Sequence, residues 1–222
     1  MHSPLQHALR WLWLALLLAG LTGCASTPAP QSSAKARARA QPSAIVVLPP
    51  LNHSPEVQAS ISVLAQATAP LAEAGYYVIP VTLMTETFRQ NGLEVPQDIH
   101  AISPKKLRSI FGADAALYIE VIDYGARYKV LSSETTVKVK GRLVDLRTGN
   151  RLWEGEGRSS NEVSPTGSRD LAAQLVAALV TQVVSSVTDA SHSVAATATN
   201  RMLSPQSAYG MAYGPRSPLY QK

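Results

Sequence analysis

The segment Ala44-Ile45-Val46-Val47-Leu48 most constrains the fold, because its β-branched residues favour a strand and that strand is apolar on both faces. Such a strand is buried inside a sheet covered on both sides, and Pro49 and Pro50 close it. Ser54-Pro55-Glu56 then supplies an N-cap residue, a proline for the first helical position and a first-turn acid. Val57, Ile61, Leu64 and Thr68 follow at helical spacing. Pro70 predicts a kink or a division in that helix, and Gly75 a stop. Tyr76-Tyr77-Val78-Ile79, bounded by Pro80, is a second strand, so the first forty residues of the domain form a βαβ unit.

Beyond it, Thr82 to Arg89 is a short helical stretch ended by Asn91-Gly92. Ser103-Pro104 opens another, with Leu107, Ile110 and Phe111 as its apolar residues before Gly112. Ala115 to Ile122 is a third strand, nearly uncharged and expected to be central, with its end or a bulge at Tyr124-Gly125. Thr135, Val137, Val139 and Gly141 alternate with Thr136, Lys138, Lys140 and Arg142, which predicts an antiparallel strand with one covered and one wet face. The turn Leu146 to Arg151 joins it to Leu152-Trp153-Glu154-Gly155-Glu156-Gly157, making a long hairpin. Leu171, Leu175, Leu179, Val183 and Val187 form one row of a helix, and Ala172, Val176, Val180 and Val184 the next, a stripe wide enough to pack on a sheet. The fold class read from this pattern is α/β, a mixed sheet with helices packed on it.

Residues 1–23 stand apart from that domain. Trp11 to Gly20 is uncharged, too short for an ordinary membrane span and suited to the core of an export signal. Leu21-Thr22-Gly23-Cys24 follows, an aliphatic residue, two small ones and the only cysteine of the chain. This resembles the bacterial lipobox. The resemblance implies a diacylglyceryl thioether on the Cys24 sulfur, cleavage between Gly23 and Cys24, a further amide-linked acyl chain, and attachment to a membrane. Each buried CH₂ contributes about 0.8 kcal/mol to such an anchor. Ala25, where inner-membrane lipoproteins commonly carry Asp, implies the outer membrane by the same resemblance, with a periplasm-facing domain. Residues 24–42 are rich in Ser, Thr, Pro, Ala and Gln and read as a flexible tether. The domain occupies 43–190, and 191–222, with its Pro and Tyr residues, reads as a mobile tail.

A nucleic-acid partner is not expected. The net charge of +5 is concentrated before residue 43, where Arg10, Lys35, Arg37 and Arg39 meet no acid. The folded part is close to neutral, and Lys105, Lys106 and Arg108 at a helix start read as a solvated face.

Four stretches carry a family resemblance: Val47-Leu48-Pro49-Pro50-Leu51-Asn52, Glu73 to Val81, Gly112 to Ile119, and Val144-Asp145-Leu146-Arg147-Thr148-Gly149-Asn150-Arg151-Leu152-Trp153. Together they resemble a family of Gram-negative lipoproteins that includes a neisserial surface antigen and is often encoded beside a CsgG-like lipoprotein. Its domain is similar to the N-terminal domain of TolB. The resemblance implies a TolB N-terminal-domain-like α/β fold, a possible homodimer, and a place in an envelope assembly, transport or secretion system with a CsgG-like lipoprotein or another envelope protein as partner. It brings no activity.

The residues offer little to an enzyme. His2 and His7 fall in the leader, and His53, His100 and His192 lack metal-ligand spacing and read as surface or loop residues, so neither metal nor cofactor is expected. No Gly-x-Ser-x-Gly elbow or phosphate-binding glycine loop is present. Asp114 and Asp145 read as turn residues, although with Asp123 they could meet in space. The second function class is therefore a periplasmic ligand-binding or hydrolytic α/β protein using Asn52 and His53, at the carboxyl end of the first strand where such folds bind ligands. Tyr76 and Tyr77 point to opposite faces, so one fills core and the other is free for a surface. With Trp153 they complete the candidate ligand or partner residues, against burial as the commoner fate of an aromatic beside a strand.

Overall fold

The computed structural model describes residues 41–128, 133–163 and 183–220. The Gly23-Cys24 cleavage site, the tether as far as residue 40 and the helical rows through residue 182 lie outside them. In chain order the elements are β1 (Ala44–Val47), β2 (Leu51–Asn52), α1 (Ala59–Glu73), β3 (Tyr77–Val78), α2 (Val81–Gln90), α3 (Pro96–His100), α4 (Pro104–Phe111), β4 (Ala115–Tyr128), β5 (Ser133–Asp145), β6 (Arg151–Val163) and α5 (Val183–Leu203).

The sheet is mixed, in the order β3-β1-β4-β5-β6, with β2 alongside β4 beyond the end of β1. β1 lies parallel to both β3 and β4, with Ile45 opposite Val78 on one side and Ala115 on the other. That is the expected βαβ unit, with β4 central. β4, β5 and β6 are antiparallel and long, and Gly155 faces Gly141 across the hairpin. Ile45 to Leu48 are buried on both faces, as their composition requires. Ile45 and Val47 face α1 and α5, while Val46 and Leu48 face α2, α3 and α4.

Helix α1 departs from the sequence reading in three ways. It begins at Ala59 after Gln58, so Ser54 does not cap it. Instead the Asn52 carboxamide accepts from the Ser54 amide at 2.9 Å and donates to the Glu56 carbonyl at 2.8 Å, holding 52–56 as an Asx-type loop. Its inward face is Ala59, Ser62, Val63, Ala67 and Leu71, whereas Val57 and Ile61 are 82% and 67% exposed. Alanines let the helix axis approach the sheet, and the larger Ile61 is left on the outer flank. Pro70 lies in the last turns without dividing the helix, which continues to Glu73 although the Pro70 ring removes one i→i−4 hydrogen bond. The stop is at Gly75, whose φ of +93° only glycine tolerates readily.

Two further expectations are corrected. Tyr124-Gly125 does not end the third strand: β4 continues to Tyr128, and the register slips earlier, between Val121 and Asp123. The chain past Asp189 is not a free tail. α5 runs to Leu203 and buries Val194, Ala195, Ala198, Met202 and Leu203 in the α1 side of the core. Its approach depends on Gly157, where an added Cβ would lie 2.0 Å from the Ala198 carbonyl oxygen. α3 was not anticipated; it is a five-residue helix started by Pro96, and Ile99 is its buried residue.

Candidate functional site

The polar candidates are spent on structure. His53 is exposed, its Nε2 3.5 Å from Glu120, and its own amide continues the β2–β4 pairing by donating to the Val121 carbonyl. Asn52 is committed to the loop just described. Asp114 accepts from the Ser43 and Ala44 amides at 3.0 and 3.2 Å, fixing where β1 starts, and pairs with Arg108. Asp145 is buried in the hairpin turn. There burial pushes its carboxyl up, but the Arg147 guanidinium and the Arg147 and Thr148 amides outweigh that and hold it below the ordinary carboxylate range. Asp123 sits opposite Lys138, well along β4 from both.

His100 is a correction to the expectation of a surface residue. Its Nε2–H donates to the Pro49 carbonyl at 2.9 Å, and its ring stands edge-on to Tyr118, which carries the Arg142 guanidinium 4.3 Å above its centroid. Burial is the largest influence on this imidazole and lowers its pKa; Arg142 also lowers it, against the Pro49 carbonyl and Glu120. His192, on α5, is hydrogen-bonded to Ser62 Oγ at 2.8 Å and to the Gln66 side chain, and so ties α5 to α1.

The aromatic candidates are not one site: β3 and β6 are opposite edges of the sheet. Tyr76 and Trp153 instead hold the segment after α5. The Tyr76 hydroxyl donates to the Ala212 carbonyl at 2.8 Å, and Trp153 Nε1–H to the Tyr209 carbonyl at 3.3 Å. Burial pushes the Tyr76 phenol up to about 12. The Gly214 and Arg216 amides donate to the Ala74 and Gly75 carbonyls, and a Cβ on Gly75 would lie 2.4 Å from the Ser217 nitrogen. As expected from the alternation, Tyr77 faces outward, 45% exposed, with the Arg216 guanidinium 5.3 Å from its ring centroid.

The feature the sequence reading missed is apolar. Two cavities share Ile61, Leu64 and Val81. One, of about 720 Å³, lies between the outer flank of α1 and residues 76–81 at the β3 edge. The other, of about 510 Å³, lies past the carboxyl end of β1, between α1 and α2, with Pro49, Phe88, Leu93 and Ile99 in its wall and Arg89 and Glu94 among its polar lining. Together they form one groove. Its signal in the sequence is that α1 carries apolar residues outside its inward row Ala59-Val63-Ala67-Leu71: Ile61 stays exposed and Leu64 is half-buried at the border. No group of three or more His, Cys, Asp or Glu with the geometry to hold a metal ion occurs among the described residues, and none of their helices is long and apolar enough to cross a membrane.

An α/β domain with an apolar surface groove, preceded by the leader whose sequence resembles an export signal with a lipobox, is what a bacterial lipoprotein is expected to have. The model of the family described as "Putative lipoprotein GNA1162-like" matches residues 34–216, and the chain belongs to that family. It is 47% identical over 205 residues to the "Putative lipoprotein NMB1124/NMB1162" of Neisseria meningitidis, covering 92% of this chain and 94% of that protein. It is also similar to the crystal structure of the lipoprotein GNA1162 from Neisseria meningitidis, with 49% identity, a TM-score of 0.54, and coverage of 64% of this chain and 97% of that one. The family is the one that the four stretches resembled, and the mixed α/β fold is the one expected. Family membership implies membrane association through a lipid anchor.

Proposed function

We propose that this protein is a non-catalytic binding or assembly component of an envelope transport or secretion system, held on the outer membrane by lipid on Cys24 with its domain facing the periplasm. The observation that carries the reading is the groove along α1: apolar, open, and bordered by the exposed Ile61, in a domain where Asp114, Asp145, His100 and His192 are engaged in its own architecture. Exposed apolar surface of that extent is costly unless a partner covers it. The partner is another envelope protein, with a CsgG-like lipoprotein as the first to test. The tether gives the domain room to reach it, since residues 24–42 span at most about 60 Å at roughly 3.3 Å per extended residue.

The test combines two variants in the native host. Cys24→Ala loses acyl-chain incorporation and the cut after Gly23, both read by mass. Ile61→Asp leaves the protein on the membrane but abolishes its cross-links to the partner. Acylation or cleavage persisting in Cys24→Ala removes the anchor from the account, and undiminished cross-linking of Ile61→Asp removes the groove.

A further inference from the structure

The sheet ends at β3, and the way it ends specifies a guest. In the parallel β1–β3 pair the Tyr77 amide donates to the Ser43 carbonyl and the Ile79 amide to the Ile45 carbonyl, both at 2.9 Å. Backbone groups alternate in direction along a strand, so Val78 turns its N–H and C=O away from β1, toward the open edge. No strand among the described residues pairs with that edge.

The helical layers run past it. Leu64, Thr68 and Ala72 of α1 overhang the edge on one side, Val81 at the start of α2 stands by it on the other, and Leu64 packs against the cores of both sheet faces. The cavity they line together with residues 76–81 has a volume of about 720 Å³ and borders β3 and the outer flank of α1. Open edges are commonly guarded by an inward charge; here the two edge residues are Tyr77 and Val78, and the charge beside them is the Arg216 guanidinium on the outward ring of Tyr77.

We propose that this slot takes an extended apolar segment of a partner protein, added beside β3 as an extra strand. The inference rests on reading the groove as the partner surface and names the chemistry of what enters it. Because the cavity presents Leu64, Ala65 and Ala72 on the α1 side, with Thr68 as the polar residue among them, and Ile79 and Val81 on the other, the guest is apolar at successive positions, as Ile45 to Leu48 are, and does not alternate. β3 has two residues and Pro80 has no N–H, so backbone pairing centres on Val78 and side chains must supply most of the affinity. Past Pro80 the guest reaches the second cavity, of about 510 Å³ and walled by Phe88, Leu93 and Ile99, which fits one large aliphatic or aromatic anchor.

The test uses the full mature chain with Cys24→Ser and the probe acetyl-Lys-Thr-Val-Ile-Val-Phe-Thr-Lys-amide, followed by amide hydrogen exchange in solution. Saturating probe slows exchange at Val78 by roughly tenfold or more, and N-methylation of the probe's Val-Ile-Val backbone weakens binding roughly tenfold, the scale of one lost hydrogen bond. The methylated probe leaves the protein untouched, so no folding defect can imitate the result. Absence of binding, equal affinity of the methylated probe, or unaltered exchange at Val78 overturns strand addition. So does the same protection of Val78 by palmitate alone, which assigns the slot to acyl chains, or its protection by self-association in the absence of probe. If strand addition fails while Ile61→Asp still loses its cross-links, the groove remains a partner surface and only the extended guest is wrong.

Discussion

At the scale of single residues, the polar side chains that attract a functional reading are mostly turn and packing devices, and their titration follows from that. Asp145 has a folded pKa below its ordinary value of 3.8, so its contribution is complete above that value and is lost as pH falls through the lower folded value. Asp145→Asn, measured by thermal melts from pH 7 down to pH 2, is expected to be destabilised by about 1–3 kcal/mol at neutral pH and to show less acid sensitivity than the parent. His100 also has a lowered pKa, so the neutral imidazole is favoured in the fold. Stability is full above its ordinary value of 6.5 and declines as pH falls from there through the folded value. His100→Gln should flatten that decline between pH 7 and 5; an unchanged melting profile would contradict the half-buried placement. The burial of His100 was not legible in the sequence because it depends on Pro49 and Tyr118, 51 and 18 positions away respectively. The turn role of Asp145 was legible, because Asp-Leu-Arg-Thr-Gly-Asn encodes it locally.

At the scale of elements, local pattern located the strands and most helices, and failed where a distant element decides. The β1 run, the hairpin turn and Gly75 declared themselves. The inward face of α1 did not, because Val57 and Ile61 outrank Ala59 and Ala67 in hydrophobicity, while the sheet selects for closeness of approach. α5 and the segment behind it were hidden for the same reason. Ala195, Ala198 and Thr199 look like tail composition until Gly157 is seen to leave room for the helix backbone at Ala198 and Gly141 for the Met202 side chain. Gly157→Ala should cost about 1–3 kcal/mol by overpacking, read as a lower urea midpoint. A chain ending at Leu203 loses the contacts that Tyr76, Trp153 and Gly75 make with 204–220, and should melt several degrees lower. A truncation without effect would restore the free-tail reading.

At the scale of the whole molecule, the proposal gives attachment to Cys24, reach to residues 24–42 and recognition to the domain. The lipobox-like Leu21-Thr22-Gly23-Cys24 is a local pattern around the one cysteine of the chain, and its lipidation belongs to the proposal. The groove was not legible in the sequence, because its walls come from α1, α2, α3 and the two prolines after β1, segments whose adjacency only the fold creates. The central claim is that this groove is where the anchored domain meets its partner. The most direct measurement places a photo-cross-linking amino acid at Ile61, in the groove, or at Glu156, on the wet face of the hairpin, and irradiates intact cells. The account predicts one discrete cross-linked species from position 61, lost in Cys24→Ala, and none from position 156. The same species from both positions, or from neither, would contradict it.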